Sequence, residues 1–156
     1  MFKYSYESPF GLLTLAEENN KLTNCNFGNS PKLPQNAEIK ETKLIKEAWL
    51  QLQQYFNGYR KTFELPLAPQ GTTFQQAAWQ ALLTIPYGQT ASYKDMAVKI
   101  SNPKACRAIG MANNKNPIGI IIPCHRVIGS NGKLVGYAGG LDIKQKLLEL
   151  EKFHSL

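Results

Sequence analysis

The chain has 156 residues, 43% hydrophobic and 19% charged, enough to bury a core in one ordinary domain or two small ones. Eighteen Lys and Arg against eleven Asp and Glu leave a net charge of +7, while three cysteines without C-x-x-C spacing and only two histidines, His125 and His154, exclude a disulfide framework, a zinc knuckle and a three-histidine metal centre. No apolar run approaches the roughly 18–20 residues of a membrane helix, and residues 1–7 lack the apolar core of a leader, so a metal-free cytoplasmic protein with no membrane contact is expected.

Phe2, Tyr4 and Tyr6 alternate with Lys3, Ser5 and Glu7, the period of a half-buried strand. Ser8-Pro9-Phe10-Gly11 is a turn, residues 12–16 form a second short strand, and 21–27 form a third with Cys25 and Phe27 on one face. Such short links specify an antiparallel meander, followed by a loop over 28–34 with two prolines. Leu44, Ile45, Ala48, Trp49, Leu52, Tyr55 and Phe56 recur at helical spacing up to Asn57-Gly58, a helix placed to cover the sheet.

Pro66, Pro69 and Gly71 punctuate a stiff connector, and a boundary there gives domains at 1–71 and 72–156. The first carries eight basic and seven acidic side chains, the second ten and four, so +6 of the charge lies in the second. That asymmetry points to a polyanion partner; on charge alone, a solvated basic surface is the alternative.

In the second half, Thr73-Phe74-Gln75-Gln76 fits a capping box, and Phe74, Ala77, Ala78, Ala81 and Leu82 supply the stripe of a helix that Pro86-Tyr87-Gly88 breaks. Ser92-Tyr93-Lys94-Asp95 is a second capping box, opening a helix to about Ile100. Asn102-Pro103 caps a third, with proline at its first position, and two helices so closely joined resemble a helix-turn-helix. On the third, Ala105, Ala108, Ile109 and Ala112 face inward, while Lys104, Arg107, Gly110, Met111 and Asn114 make a lean exposed face.

Residues 118–122 read as a buried strand running into Pro123-Cys124-His125-Arg126-Val127. Cys25 and Cys106 read as inert, but His125 and Arg126 beside Cys124 favour its thiolate, the nucleophilic form. In a last helix from near Leu141, Glu151 shares the inward face of Leu147 and Leu148 and needs a donor or a cation there. The pattern implies a Glu151–His125–Cys124 series, a carboxylate orienting an imidazole that activates a thiol.

Pro123-Cys124-His125-Arg126-Val127 resembles the active-site signature of the O6-alkylguanine-DNA alkyltransferases, the methylated-DNA–protein-cysteine methyltransferases. The likeness extends through Ser92-Tyr93, Asn102-Pro103-Lys104, Arg107-Ala108-Ile109-Gly110, Asn116-Pro117, Gly136-Tyr137-Ala138-Gly139-Gly140-Leu141, Leu147-Leu148 and Glu151. It implies an α+β fold: a small ribonuclease-H-like domain of antiparallel sheet plus helix, then a mainly helical, winged-helix-like domain. It also implies a monomer without cofactor that binds duplex DNA containing O6-alkylguanine along the minor groove and flips the lesion outward. The alkyl group then passes irreversibly to Cys124, with His125 and Glu151 as relay, Tyr93 assisting protonation of the base and Asn116 holding the cysteine loop.

By the same resemblance Arg107 fills the vacated space, Tyr93, Lys94, Asn102 and Ser130 contact DNA, and Val127, Tyr137 and Ala138 line the base pocket. Some members hold zinc in the first domain; here only Cys25 stands there, so none is expected, and a small Ala138 favours tolerance of larger alkyl groups. The rival readings are a Cys-His-Glu hydrolase, which would turn over repeatedly, and a non-catalytic lesion-binding module, which would need no reactive cysteine.

Overall fold

The alternation at the start of the chain folds into an antiparallel meander of β1 (Phe2–Ser8), β2 (Gly11–Glu18) and β3 (Lys21–Phe27). Its register sets Tyr4 opposite Leu15 and Leu15 opposite Cys25, so one face collects Phe2, Tyr4, Tyr6, Leu13, Leu15 and Cys25. Helix α1 (Lys43–Phe56) lies on that face, burying Ile45, Ala48, Leu52 and Tyr55 and stacking Trp49 on Tyr6 at 4.6 Å. Thr42 caps α1 by accepting from the Ile45 amide and donates its hydroxyl to Glu17, giving that buried carboxylate a partner.

A fourth strand, β4 (Glu38–Ile39), runs parallel beside β1, giving the order β3-β2-β1-β4. Two residues are too few to alternate, so the sequence offers no sign of it. The far edge of β3 is closed by other means. The Leu22 amide donates to Pro66 and the Leu22 carbonyl accepts from Ala68; likewise, the Cys25 amide donates to Pro117 and the Cys25 carbonyl accepts from Gly119. The proline-rich connector and residues 117–119 thus occupy an edge that would otherwise invite pairing with another chain.

The computed structural model describes residues 1–28 and 30–155. They form two units, Met1–Gln70 with Pro117–Ile121, and Gly71–Asn116 with Ile122–Leu156. The architecture is α+β, with the four-stranded sheet in the first unit and most of the helix in the second. Residues 118–122, expected as a strand, are not extended, and all but Gly119 are buried. Ile118 alone bridges Cys25, and Ile120 adopts φ 69°, a left-handed conformation that turns the chain. An apolar run reports burial, not extension, and a β-branched residue at positive φ is a strained exception that no pattern announces.

The second unit begins with α2 (Thr73–Leu82), whose cap is Thr72 paired with Gln75, one residue earlier than the spacing from Thr73 suggests. Trp79 of α2 donates its indole N–H to the Ala112 carbonyl at 2.8 Å. Strand β5 (Ala91–Ser92) leads into α3 (Tyr93–Lys99), where Ser92 and Asp95 form the expected capping box. The next helix, α4 (Cys106–Asn114), starts later than Asn102-Pro103 indicates: Ala105 precedes it without a side-chain cap, and the Ala105 amide closes a turn onto the Asn102 carbonyl. Proline suits the second position of such a turn as well as a helix start, and here the turn prevails. Strand β6 (Val127–Ile128) pairs in parallel with β5, and α5 (Leu141–His154) ends the unit.

Because the Ser92 hydroxyl and the Asp95 carboxylate each satisfy an amide at the start of α3, Ser92→Ala should cost about 1 kcal/mol. Urea unfolding of the purified variant checks this; an unchanged midpoint would mean that the β5–β6 pairing alone fixes the start of α3.

Candidate active site

Pairing of Ala91 with Val127 and Ser92 with Ile128 joins the start of α3 to the chain immediately after the cysteine. Cys124 opens a single 3-10 turn, Cys124–Arg126, and is only 7% exposed. Asn116 secures the approach to that turn. Its buried amide donates to the Ile122 carbonyl at 2.9 Å, and the Cys124 N–H reaches the same oxygen at 2.8 Å.

Glu151, on α5, is 1% exposed. It accepts from His125 Nε2 at 2.6 Å, from Arg126 Nε at 2.8 Å and Nη2 at 3.1 Å, and from the Gly88 amide at 3.3 Å. Arg126 also donates Nη1 to the Ile85 carbonyl at 2.7 Å and lies over the Tyr87 ring. Burial by itself raises the Glu151 carboxyl, but the bonds and charges of His125 and Arg126 outweigh it and hold it at about 2.

Burial also dominates at His125, lowering its pKa against the opposing pull of Glu151. The imidazole is therefore neutral near pH 7, and Arg126 supplies the charge that answers Glu151. An ionised carboxylate only accepts, so the single imidazole proton sits on Nε2. Nδ1, buried and without a hydrogen-bond partner among the described residues, keeps its lone pair. The group next to Cys124 in the chain is thus a neutral base held in one tautomer.

Lys144, fully buried on α5, donates Nζ to the carbonyls of Val127 at 2.6 Å and Val135 at 2.8 Å. Burial lowers its pKa, and the charge of an ionised Cys124 opposes that shift, so an ammonium at Lys144 favours a thiolate. Tyr93 donates its hydroxyl to the same Val135 carbonyl at 3.1 Å; burial and then the charge of Cys124 raise its pKa. The loop over residues 129–140 is thereby pinned from two sides beside the cysteine.

Cys124, His125 and Glu151 adjoin, Tyr93 lies within electrostatic reach of Cys124, and Asn116 grips the residue two before it. Val127 is buried with its carbonyl on Lys144, Tyr137 is half-buried, and Ala138 is exposed. Lys94, Asn102 and Arg107 are exposed on the α3–α4 hairpin, and Ser130 is exposed on the loop after β6. A Cβ on Gly110 would sit 3.7 Å from the Tyr93 ring, so α4 comes close to α3 there. Sequence reasoning missed Lys144 and the full part of Arg126. The signal for Lys144 was present: it falls three, four and seven residues before Leu147, Leu148 and Glu151, a lysine within an apolar stripe. Among the described residues no cluster of three His, Cys, Asp or Glu could hold a metal ion.

The shifts set a pH dependence. His125 is held below its ordinary 6.5, so the unfolded chain binds that proton more readily, and stability falls as pH drops below about 6.5. Glu151 is held at about 2 against an ordinary 4.5, worth about 3 kcal/mol that is present above pH 4.5 and lost as pH falls towards 2. Urea midpoints measured from pH 8 to pH 3 should show both declines. Glu151→Gln should lack the second and lose about 3–5 kcal/mol at pH 7, because Arg126 is left buried without its counter-charge. A Gln variant as stable as the parent at pH 7 would mean that the ion pair is dispensable.

Residues 73–153 match the family described as "6-O-methylguanine DNA methyltransferase, DNA binding domain", and residues 1–69 match "6-O-methylguanine DNA methyltransferase, ribonuclease-like domain". A methylated-DNA–protein-cysteine methyltransferase of Methanosarcina acetivorans is 50% identical over 97% of this chain and 98% of its own. The constitutive protein of that name from Bacillus subtilis is 49% identical over 94% of this chain and 92% of its own. The Mycobacterium tuberculosis OGT, crystallised in complex with DNA, superposes with a TM-score of 0.93 at 45% identity, over 99% of this chain and 94% of that one. With both halves matched and relatives this similar over nearly their whole length, the chain belongs to the 6-O-methylguanine DNA methyltransferase family.

Proposed function

We propose that the protein repairs DNA by direct reversal, taking the alkyl group of O6-alkylguanine onto the sulfur of Cys124. The observation that carries this reading is the state of His125, a neutral base whose proton is engaged by Glu151 and whose lone-pair nitrogen belongs to the neighbour of Cys124. Nδ1 accepts the thiol proton, directly or through a bridging water, and the thiolate attacks the alkyl carbon. A C–S bond forms as the C–O bond breaks, and the guanine leaves with the electron pair and is reprotonated, with Tyr93 as proposed donor. No tetrahedral intermediate forms, so no oxyanion hole is needed.

The product is a thioether, which water does not cleave, and each molecule acts once. The exposed cations Lys94 and Arg107 support contact with the DNA backbone, and Arg107 is proposed to fill the gap left by the flipped base. Asn102 and Ser130 are assigned to the same DNA face, and Val127, Tyr137 and Ala138 to the base pocket. Residues 72–156 are read as the DNA-binding and alkyl-transfer domain, acting in the cytoplasm on cellular DNA.

Intact mass after incubation with duplex DNA carrying O6-methylguanine should rise by one methylene on Cys124, with product levelling off at one equivalent. Cys124→Ser should give no transfer. Linear product formation beyond one equivalent would be hydrolase behaviour and would end this reading.

Arg107→Ala should slow single-turnover repair of duplex roughly 5- to 150-fold, the loss of ~1–3 kcal/mol of support for the extruded state, and should spare reaction with free O6-alkylguanine base. Equal losses on both substrates would remove Arg107 from the flipping step.

A further inference from the structure

Pro86-Tyr87-Gly88 follows α2 and was expected only to break that helix. The Gln89 amide closes onto the Pro86 carbonyl at 3.1 Å with Gly88 at φ 79°, the geometry of a type II turn. Glycine is required there on a second count, since a Cβ would lie 2.7 Å from the Ser155 Cβ. Three groups of this segment meet one ion pair. The Ile85 carbonyl accepts from Arg126 Nη1 at 2.7 Å, the Tyr87 ring lies over the Arg126 guanidinium at 5.6 Å, and the Gly88 amide donates to Glu151 Oε1 at 3.3 Å.

Exposure rises outward through this cluster. His125 is 0% exposed, Glu151 1% and Arg126 6%, whereas Tyr87 is half-buried and stands at the edge of that interior. The contacts of Ile85 and Gly88 come from the main chain; the ring is what the side chains of the turn add. A guanidinium whose edge is engaged in hydrogen bonds still has two flat faces, and an aromatic ring suits one of them. Water at that face would screen the attraction between Arg126 and Glu151 and relax the burial around His125.

The charged groups acting on His125 are Glu151 and Lys144 from α5 and Arg126 beside it, and burial outweighs all of them. The turn after α2 brings Tyr87, and α3 brings Tyr93 to Cys124. Burial and then Glu151 raise the Tyr87 phenol, with Arg126 opposing, so Tyr87 acts as an uncharged ring near pH 7.

We propose that Tyr87 is a positioning residue for alkyl transfer: its ring seals the Arg126–Glu151 pair from water and thereby keeps His125 a neutral base with its proton on Nε2. This rests on the alkyl-transfer reading above and adds to it a residue that acts through Arg126 and Glu151.

With only two histidines and three arginines in the chain, each imidazole and each guanidinium Nε–H can be followed separately by nitrogen-15 NMR. In Tyr87→Leu, which keeps apolar bulk without an aromatic face, the His125 titration should move up towards 6.5. Tyr87→Met is the second variant, a flexible chain that fills the space if the branched one does not fold. In both, the Arg126 Nε–H should exchange with water at least about threefold faster than in the parent. Single-turnover transfer from free O6-alkylguanine base should fall about 3- to 10-fold near pH 5.5 and stay within about twofold of the parent near pH 8, because only the neutral imidazole accepts the thiol proton. Tyr87→Phe, which restores the ring, should match the parent throughout.

A His125 titration unmoved in the Leu and Met variants would overturn the proposal. So would a Phe variant that shifts as far as they do, since the hydroxyl and not the ring would then be responsible. Rates lowered equally at both pH values would overturn it too, as the mark of packing alone. An Arg126 Nε–H that exchanges in the parent as fast as that of the exposed Arg107 would do so without any variant. The titration and the exchange are read without substrate. A parent that transferred no alkyl group would therefore end the alkyl-transfer reading, while these two measurements still decided whether the ring governs His125.

Discussion

A single carboxylate inside the last helix organises the active end of this protein. Glu151 is buried on α5, where an isolated charge would be prohibitively expensive, and its oxygens take donors from His125, from two nitrogens of Arg126 and from the Gly88 amide. Each of those donors is thereby fixed. Arg126 turns its remaining arm onto Ile85, which ties the cysteine turn to the end of α2. His125 commits its proton and leaves its other nitrogen as a base. Were Glu151 neutral, the imidazole would lose the partner that fixes its tautomer, and Arg126 would hold an uncompensated charge in the interior. Orientation of the base and packing of α5 against the cysteine turn are thus one interaction viewed from two sides.

A second buried charge performs the complementary task. Lys144 reaches across to carbonyls on both sides of the loop that follows Cys124, and Tyr93 adds its hydroxyl to one of them. Backbone carbonyls of an irregular segment would normally turn to water; here side chains of α3 and α5 satisfy them. The loop over residues 129–140 therefore has defined anchors although it has little secondary structure of its own. The same ammonium lies within electrostatic reach of Cys124, so the group that shapes the loop also biases the sulfur towards its nucleophilic form.

Much of this was legible in the sequence, for identifiable reasons. The meander declared itself by strict alternation, α1 by its apolar spacing, and α3 by a capping box whose two members are the residues that make the bonds. Glu151 was legible as an inward carboxylate because Leu147 and Leu148 define the face it shares. What escaped has physical causes too. A two-residue strand has no period, the edge role of Pro66 and Pro117 depends on contacts distant in sequence, and the left-handed Ile120 contradicts its own propensity. Pro103 is ambiguous between a turn and a first helical residue.

The near-burial of Cys124 bears on how a substrate could reach it. A guanine stacked in a duplex cannot bring its O6 substituent against the sulfur of a cysteine that is only 7% exposed. Either the protein opens or the base leaves the stack. Opening would mean parting Glu151 from His125 and Arg126, or Lys144 from the carbonyls of Val127 and Val135, each a charged interaction in a low-dielectric interior. Extruding a base costs on the order of a few kcal/mol, and less for a damaged pair. The smaller cost falls on the DNA, so a rigid site and a flipped base are two consequences of the same buried charges. Outside that interior, Arg107 stands exposed on α4, and α4 approaches the Tyr93 ring of α3 at Gly110.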